Sequence, residues 1–436
     1  MTAPLMPGST PRPFDRLQAV LLACSLIGYP LVSVIPVFLE IESRLVSIPY
    51  RQAILAASIA SVIFALLTHK RSRVPIPIAL LFLIALTTLT IRYVNDVVLL
   101  GHGPHALMEA GDYAAFFFGV SVGSALPLMF PAKVEQLRRF HLPIACATML
   151  AVVLGTASTF YGESVIDLAV RAQANTLNAI SFASIGALLI MLLVAVPSRT
   201  ASSLPLLVFR VIGIAVGVAA LVISASKGPL IALLIALIAR AWVQSTDRLK
   251  LAGRLGLVAL IAFSLYLAFD TTLSDSTGIA LLQRLTDLGD DTATIERIFI
   301  FNASWDLFVA HPMLGGAIVE PVTKAYPHNV LLEALVVGGV LFGTVVLALL
   351  VSGVCYSFRL LRMEPSLALL GMVGLFQITM SMISGSLYLG PDLWTALVAV
   401  HAYGHANAAP SRRPRPYAQH LASNASPPTS NEWPAT

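Results

Sequence analysis

The sequence predicts an all-α polytopic integral membrane protein of about twelve transmembrane helices with one long external loop. Three observations carry that expectation: repeated apolar runs of membrane length, basic residues concentrated in alternate connections, and a single extended polar segment. Of 436 residues 57% are hydrophobic and 11% charged, whereas soluble domains run at about 45–50% apolar and about 25% charged. Mean hydropathy is +0.84. A hydrocarbon core about 30 Å thick takes roughly 20 apolar residues per helical crossing, and such runs recur from Leu17 to Tyr403. The net charge of +5 does not imply nucleic acid, because the basic residues sit in short clusters between apolar runs and act as topology signals.

The runs cover 17–39, 51–68, 76–94, 112–130, 141–160, 178–197, 204–223, 228–245, 254–271, 329–356, 366–386 and 391–405. The first follows Arg12 and Arg16 and continues past Cys24. That is too long for a signal-peptide core or a lipoprotein cleavage box at Leu21–Cys24, so an uncleaved helix is expected. Lys70, Arg71 and Arg73, then Lys133, Arg138 and Arg139, then Arg199, then Arg240, Arg248, Lys250 and Arg254, then Arg359 and Arg362, and finally Arg412, Arg413 and Arg415 all fall on one side. Positive loops stay cytoplasmic, which places both termini inside. Residues 1–16 form a cytoplasmic tail, 17–405 the membrane domain, and the Pro-, Ser- and Asn-rich 406–436 a disordered cytoplasmic tail. Residues 272–328 are the long external loop. Within it Ile298, Phe301, Trp305 and Phe308 recur at helical spacing, so Ile295–Val309 should be a helix on the membrane surface or on the bundle. Cys24, Cys146 and Cys355 lie in apolar runs without CxxC spacing, which disfavours a disulfide or zinc site.

Chemistry is sought among external polar residues. Lys227, in Ser226-Lys227-Gly228-Pro229, opens a helix where a cation opposes the macrodipole; with the free backbone N–H groups it would suit a phosphate. A snorkelling interfacial lysine is the plainer alternative. Arg171 precedes the sixth run and Arg297 opens the amphipathic stretch. Each alone reads more readily as a surface arginine than as a ligand, yet arginine suits bidentate phosphate recognition, and three converging cations would neutralise a pyrophosphate without metal. His328, in Pro327-His328-Asn329, stands where the long loop re-enters the membrane and can take a proton near neutral pH. Its alternative is a histidine beside a helix capped by Asn329. His102, His105 and Glu109 have metal-like spacing but lie in a Gly/Pro-flanked loop without a clear third ligand. Asp290 and Asp291 read as a solvated pair, and Arg210 can snorkel. No P-loop, GxSxG or HExxH motif is present.

Glu296-Arg297, Trp305, His311-Pro312-Met313-Leu314-Gly315-Gly316, Pro327-His328-Asn329-Val330-Leu331-Leu332-Glu333 and Gly338-Gly339 together resemble the signature of the O-antigen ligase and O-antigen polymerase superfamily. Ser226-Lys227-Gly228 is similar to its basic Ser-Arg/Lys-Gly step, with Lys227 where arginine is frequent, and Arg171 to Ala183 looks like its arginine segment. The resemblance spans roughly 165–345. It implies a GT-C-like glycosyltransferase of the bacterial inner membrane that moves a glycan from undecaprenyl diphosphate to a lipid A-core or glycan acceptor at the periplasmic face. It also implies inversion and no metal or other cofactor. His328 would be catalytic, Lys227, Arg171 and Arg297 would bind the diphosphate, and Asn329 and Glu333 would support. The single long loop and the Arg171 segment look more ligase-like than polymerase-like, and the short C-terminal region disfavours a protein-glycosylating member. A twelve-helix transporter is the alternative from another class, although its ionisable residues would be expected near the midplane rather than at one face.

Overall fold

The computed structural model describes residues 13–25, 43–105, 108–160, 179–195, 203–224, 226–247 and 292–407, with a few isolated positions besides. Among them there is no strand. The helices are α1 (Pro13–Ala23), α2 (Ser43–Leu67), α3 (Ile76–Tyr93), α4 (Ala110–Ala114), α5 (Val134–Phe160), α6 (Ala179–Val194), α7 (Leu204–Ser224), α8 (Lys227–Gln244), α9 (Thr292–Ala310), α10 (Val330–Leu361), α11 (Pro365–Ser384) and α12 (Pro391–Ala406). Eight helical stretches among the described residues are long and apolar enough to cross a membrane. The run at 254–271 and most of the second half of the run at 17–39 lie outside the described residues, as do 272–291, 1–12 and 408–436, while residues 13–16, expected in the N-terminal tail, belong to α1.

Local sequence explains where several elements start and bend. Pro365 and Pro391 occupy first helical positions, where a missing N–H costs nothing. Two expected helices are irregular. Val94–Leu99, which continues α3, and Ala115–Val122, which continues α4, are π-helical. The run expected at 329–356 extends to Leu361 and is broken at Gly338 and Gly339.

Two clusters of buried side chains organise the bundle. One gathers α3, the 110–129 segment, α10 and α12, and the other α5, α6, α7, α8 and α11. α11 joins them: Leu367, Leu370 and Ile378 face the first, while Met372, Val373, Phe376 and Met380 face the second. A helix apolar on all sides belongs in such a central position. Lipid offers no hydrophobic drive for helix pairing, so small residues that let backbones approach take over. At the α6–α7 crossing a Cβ on Gly217 would sit 2.8 Å from the Gly186 carbonyl oxygen and 2.7 Å from Ile190 Cγ1. Gly217→Ile should therefore overpack this contact by about 1–3 kcal/mol. A lowered Tm in detergent is expected, and Val218→Ile on the exposed face of the same helix should leave Tm unchanged.

The amphipathic segment is α9, seated on α10. Its buried residues are Ile300 and Ser304, whereas Ile298, Phe301 and Trp305 point outward at 54%, 42% and 47% exposure. The apolar stripe thus faces away from the bundle, since Ser304 and the small neighbour Ala303 permit the closer approach.

Candidate active site

The loop after α9 crosses the break in α10, and two glycines make the crossing feasible. Gly315 (φ +73°) and Gly339 (φ +67°) adopt left-handed conformations. A Cβ on Gly315 would meet Gly338 N at 2.5 Å, and one on Gly339 would meet the Met313 backbone at 2.3 Å. The backbone groups freed by the break are paired by the loop: Gly316 N–H donates to Val336 O (2.9 Å) and Val340 N–H to Pro312 O (2.8 Å). Irregular backbone at membrane depth is tolerated when protein satisfies it in this way. Arg92 of α3 completes the joint, donating from Nε to Val337 O (2.8 Å) and from Nη2 to Leu314 O (2.6 Å) and Gly315 O (3.1 Å). Asp96, in the π-helical continuation, accepts from Ile318 N–H (2.6 Å) and pairs with Arg92 at 3.6 Å.

That joint fixes the segment holding His328. Glu320 accepts from Val322 N–H (2.9 Å) and Thr323 N–H (2.5 Å); burial opposes its charge, but these bonds win and hold the carboxyl below its usual range. The Tyr326 ring lies 4.5 Å from the His328 ring and 6.3 Å from His105, centroid to centroid. His328 has φ +56°, a left-handed conformation costing a non-glycine residue about 1–3 kcal/mol and seen where the surroundings over-determine it. Burial first, and the Arg297 guanidinium second, push its imidazole down to about 4. The ring is therefore neutral at pH 7, with a lone pair available. Nδ1 is buried without a hydrogen-bond partner among the described residues.

Asn329 caps α10, accepting from Leu331 N–H (3.1 Å) and Leu332 N–H (3.0 Å), while its Nδ2 donates to Met382 O (2.9 Å). Glu333, 1% exposed, accepts from Ser386 Oγ (2.9 Å) and Leu387 N–H (2.6 Å). Both side chains thus tie the histidine segment to the α11–α12 connection, which Ser121 Oγ and Trp394 Nε1 also hold through Tyr388 O and Leu387 O.

Beside His328 opens a cavity of about 530 Å³. Its walls come from α2, the π-helical 115–122 segment, α6, α11 and the start of α12. Its lining combines His328 with the polar side chains Arg51, Gln377, Ser381, Ser384 and Asp392 and with the apolar Leu188, Met191, Val373 and Phe376.

The cations divide into two kinds. Arg92 is saturated by carbonyls, Arg138 pairs with Glu364, and Arg240 donates to Leu361 O at the end of α10. Lys227 and Arg297 are each half-buried and make no hydrogen bond or ion pair among the described residues. Arg297 is close enough to act on both His328 and Tyr326. Lys227 begins α8, which packs on α11: a Cβ on the adjacent Gly228 would lie 3.6 Å from Sδ of Met380, itself a cavity residue. Lys227 does not line the cavity, and Arg171 lies outside the described residues. His105 packs between the Tyr113 and Tyr326 rings, and no group of three His, Cys, Asp or Glu side chains gathers to hold a metal among the described residues.

Sequence reasoning overlooked Arg51, Arg92, Gln377 and Asp392. Arg51 had a legible signal, standing with Arg44 in a connection where the charge rule expects few cations. Arg92 and Gln377 were polar interruptions of apolar runs, a pattern that by default marks a functional or packing role.

Helices of membrane length packed around a cavity of mixed polar and apolar lining define a multi-pass α-helical membrane protein. Residues 211–348 match the family model described as O-antigen ligase. The match contains Lys227, Arg297, His328, Asn329 and Glu333, and leaves Arg51, Gln377 and Asp392 outside it. No curated protein matched the chain.

Proposed function

We propose that this protein transfers a glycan from an undecaprenyl-diphosphate carrier to an acceptor hydroxyl at the periplasmic face of the inner membrane, and that it is an O-antigen ligase whose acceptor is lipid A-core. The observation that carries the reading is one conformationally strained histidine that lines a cavity between apolar helices, with the Arg297 guanidinium close enough to act on it. In this reaction the acceptor oxygen attacks the anomeric carbon from the face opposite the diphosphate, and the bond to the phosphate oxygen breaks. The acceptor proton passes to the His328 imidazole, and the diphosphate leaves with its charge held by Arg297, Lys227 and Arg171, with Arg51 added at the cavity wall. A single displacement inverts the anomeric configuration. A diphosphate leaving group matched by cations needs neither metal nor nucleotide.

A polymerase would use the same donor chemistry and the same histidine, so the acceptor decides between them. Deleting the gene and analysing lipopolysaccharide separates the two. Loss of a ligase leaves bare core with polymerised glycan on the carrier lipid, whereas loss of a polymerase leaves core bearing a single repeat unit. Unchanged lipopolysaccharide together with lost movement of a solute across vesicles would replace both readings with transport.

A further inference from the structure

Three polar side chains facing the cavity lack protein partners. Gln377 lies within α11, seven residues before its end, on a helix otherwise packed in apolar contacts. Ser384 closes α11, and Asp392 stands in the first turn of α12. All three line the same cavity as His328, and none makes a side-chain hydrogen bond or ion pair among the described residues. The first-turn placement of Asp392 is favourable to the helix dipole, which accounts for an acid there. It does not account for Gln377, whose amide carries two donors and an acceptor at membrane depth, where unmet polar groups are costly.

The chemistry of these groups differs from that of the cations. A carboxylate repels a diphosphate, so Asp392 does not belong to the anion-binding set. Its acceptor oxygens require donors, Gln377 supplies both kinds of group, and the Ser384 hydroxyl adapts to either. Ser381 stands one helical turn from Gln377 on the same wall and, while donating to Gln377 O (2.7 Å), keeps lone pairs free to accept. Neutral vicinal hydroxyls, which donate and accept together, match this set better than phosphate, amine or acyl chain.

We infer that Gln377, Ser381, Ser384 and Asp392 form a carbohydrate subsite that binds hydroxyls of the sugar next to the reacting bond, with His328 at its rim. The inference rests on the glycosyl-transfer reading and deepens it. The sugar belongs either to the lipid-linked donor or to the acceptor, and kinetics distinguish the sources.

The test uses full-length protein in detergent, carrier-linked glycan extracted from native membranes as donor, and lipid A-core as acceptor, each varied in turn. Loss of one hydrogen bond to a neutral or charged group corresponds to about 3- to 100-fold. Gln377→Leu and Asp392→Asn should therefore each raise the KM of one substrate by about tenfold, with kcat changed far less. The substrate whose KM moves identifies the sugar. Asp392→Glu should restore part of the loss, which a purely structural role would not produce. Size-exclusion profiles and Tm matching wild type exclude misfolding, with Ser384→Ala as the mildest variant where Gln377→Leu fails to fold. Unchanged KM for both substrates in folded variants would overturn the subsite, as would an equal fall in kcat with KM fixed. Absence of transfer by the wild-type protein would instead overturn the glycosyltransferase reading itself.

Discussion

His328→Ala should lose about 10²- to 10⁴-fold in transfer, the contribution of a positioned general base, while the protein still folds and binds the lipid-linked donor. The imidazole is not part of the joint between the loop and α10. That joint rests on Gly315, Gly339 and Arg92, and the cap on α10 is Asn329. Removing the ring therefore takes away a proton acceptor without cutting a structural bond. The left-handed backbone adds a contrast: His328→Gly relieves strain at φ +56°, so it should be at least as stable as His328→Ala and equally inactive.

The pH dependence of the wild-type enzyme follows from the same surroundings. Burial and the Arg297 guanidinium disfavour the imidazolium and bring the free enzyme's imidazole to about 4, below its usual 6.5. A base must be unprotonated, so kcat/KM, which reports the free enzyme, should stay level on acidification to well below pH 6.5 and fall near pH 4. Donor diphosphate neutralises Arg297 and adds negative charge, which favours protonation. The acid limb of kcat should accordingly lie at higher pH than that of kcat/KM. For stability the sign is the same. A histidine with a depressed folded pKa binds protons more readily when unfolded, so its contribution is present above the unfolded value and is lost as pH falls from about 6.5 toward 4. Full transfer by His328→Ala, or coincident acid limbs near 6.5, would remove the histidine from the chemistry.

Hydropathy made the described helices legible because their apolar runs are long. What it left unread was the break in α10. Gly338-Gly339 sits within a continuous apolar run, and only the approach of Met313 and Pro312 from outside the helix explains its left-handed turn. Arg92 was invisible for a related reason. Its four-carbonyl environment is assembled from residues more than 220 positions away in sequence, and no local pattern encodes such partners. The start of α10, by contrast, was readable from Pro327 and Asn329, the latter being its cap. The α9 helix was expected on the membrane surface or on the bundle, and its apolar stripe points away from the helix it packs on.

The second large effect is expected from the unpaired cations. Arg297→Ala should reduce transfer by about 10²- to 10³-fold, as for loss of one preorganised group that stabilises charge developing in the transition state. A half-buried guanidinium without a carboxylate has no structural bond to lose, so the variant should keep its Tm; removal of an uncompensated positive charge would if anything favour folding. Arg92→Ala provides the opposite case. It strips donors from Val337, Leu314 and Gly315 carbonyls, each unmet acceptor costing about 1–3 kcal/mol, so stability and activity should fall together. Lys227→Arg should retain most transfer and Lys227→Ala little, because a point charge at the start of α8 serves a phosphate through its sign more than its geometry. Where cations hold the leaving diphosphate, chelation of divalent metal leaves all these rates unaltered. Transfer that stops with chelator, or that continues undiminished in Arg297→Ala and Lys227→Ala proteins of normal Tm, would assign the diphosphate to other groups and return both residues to the membrane interface.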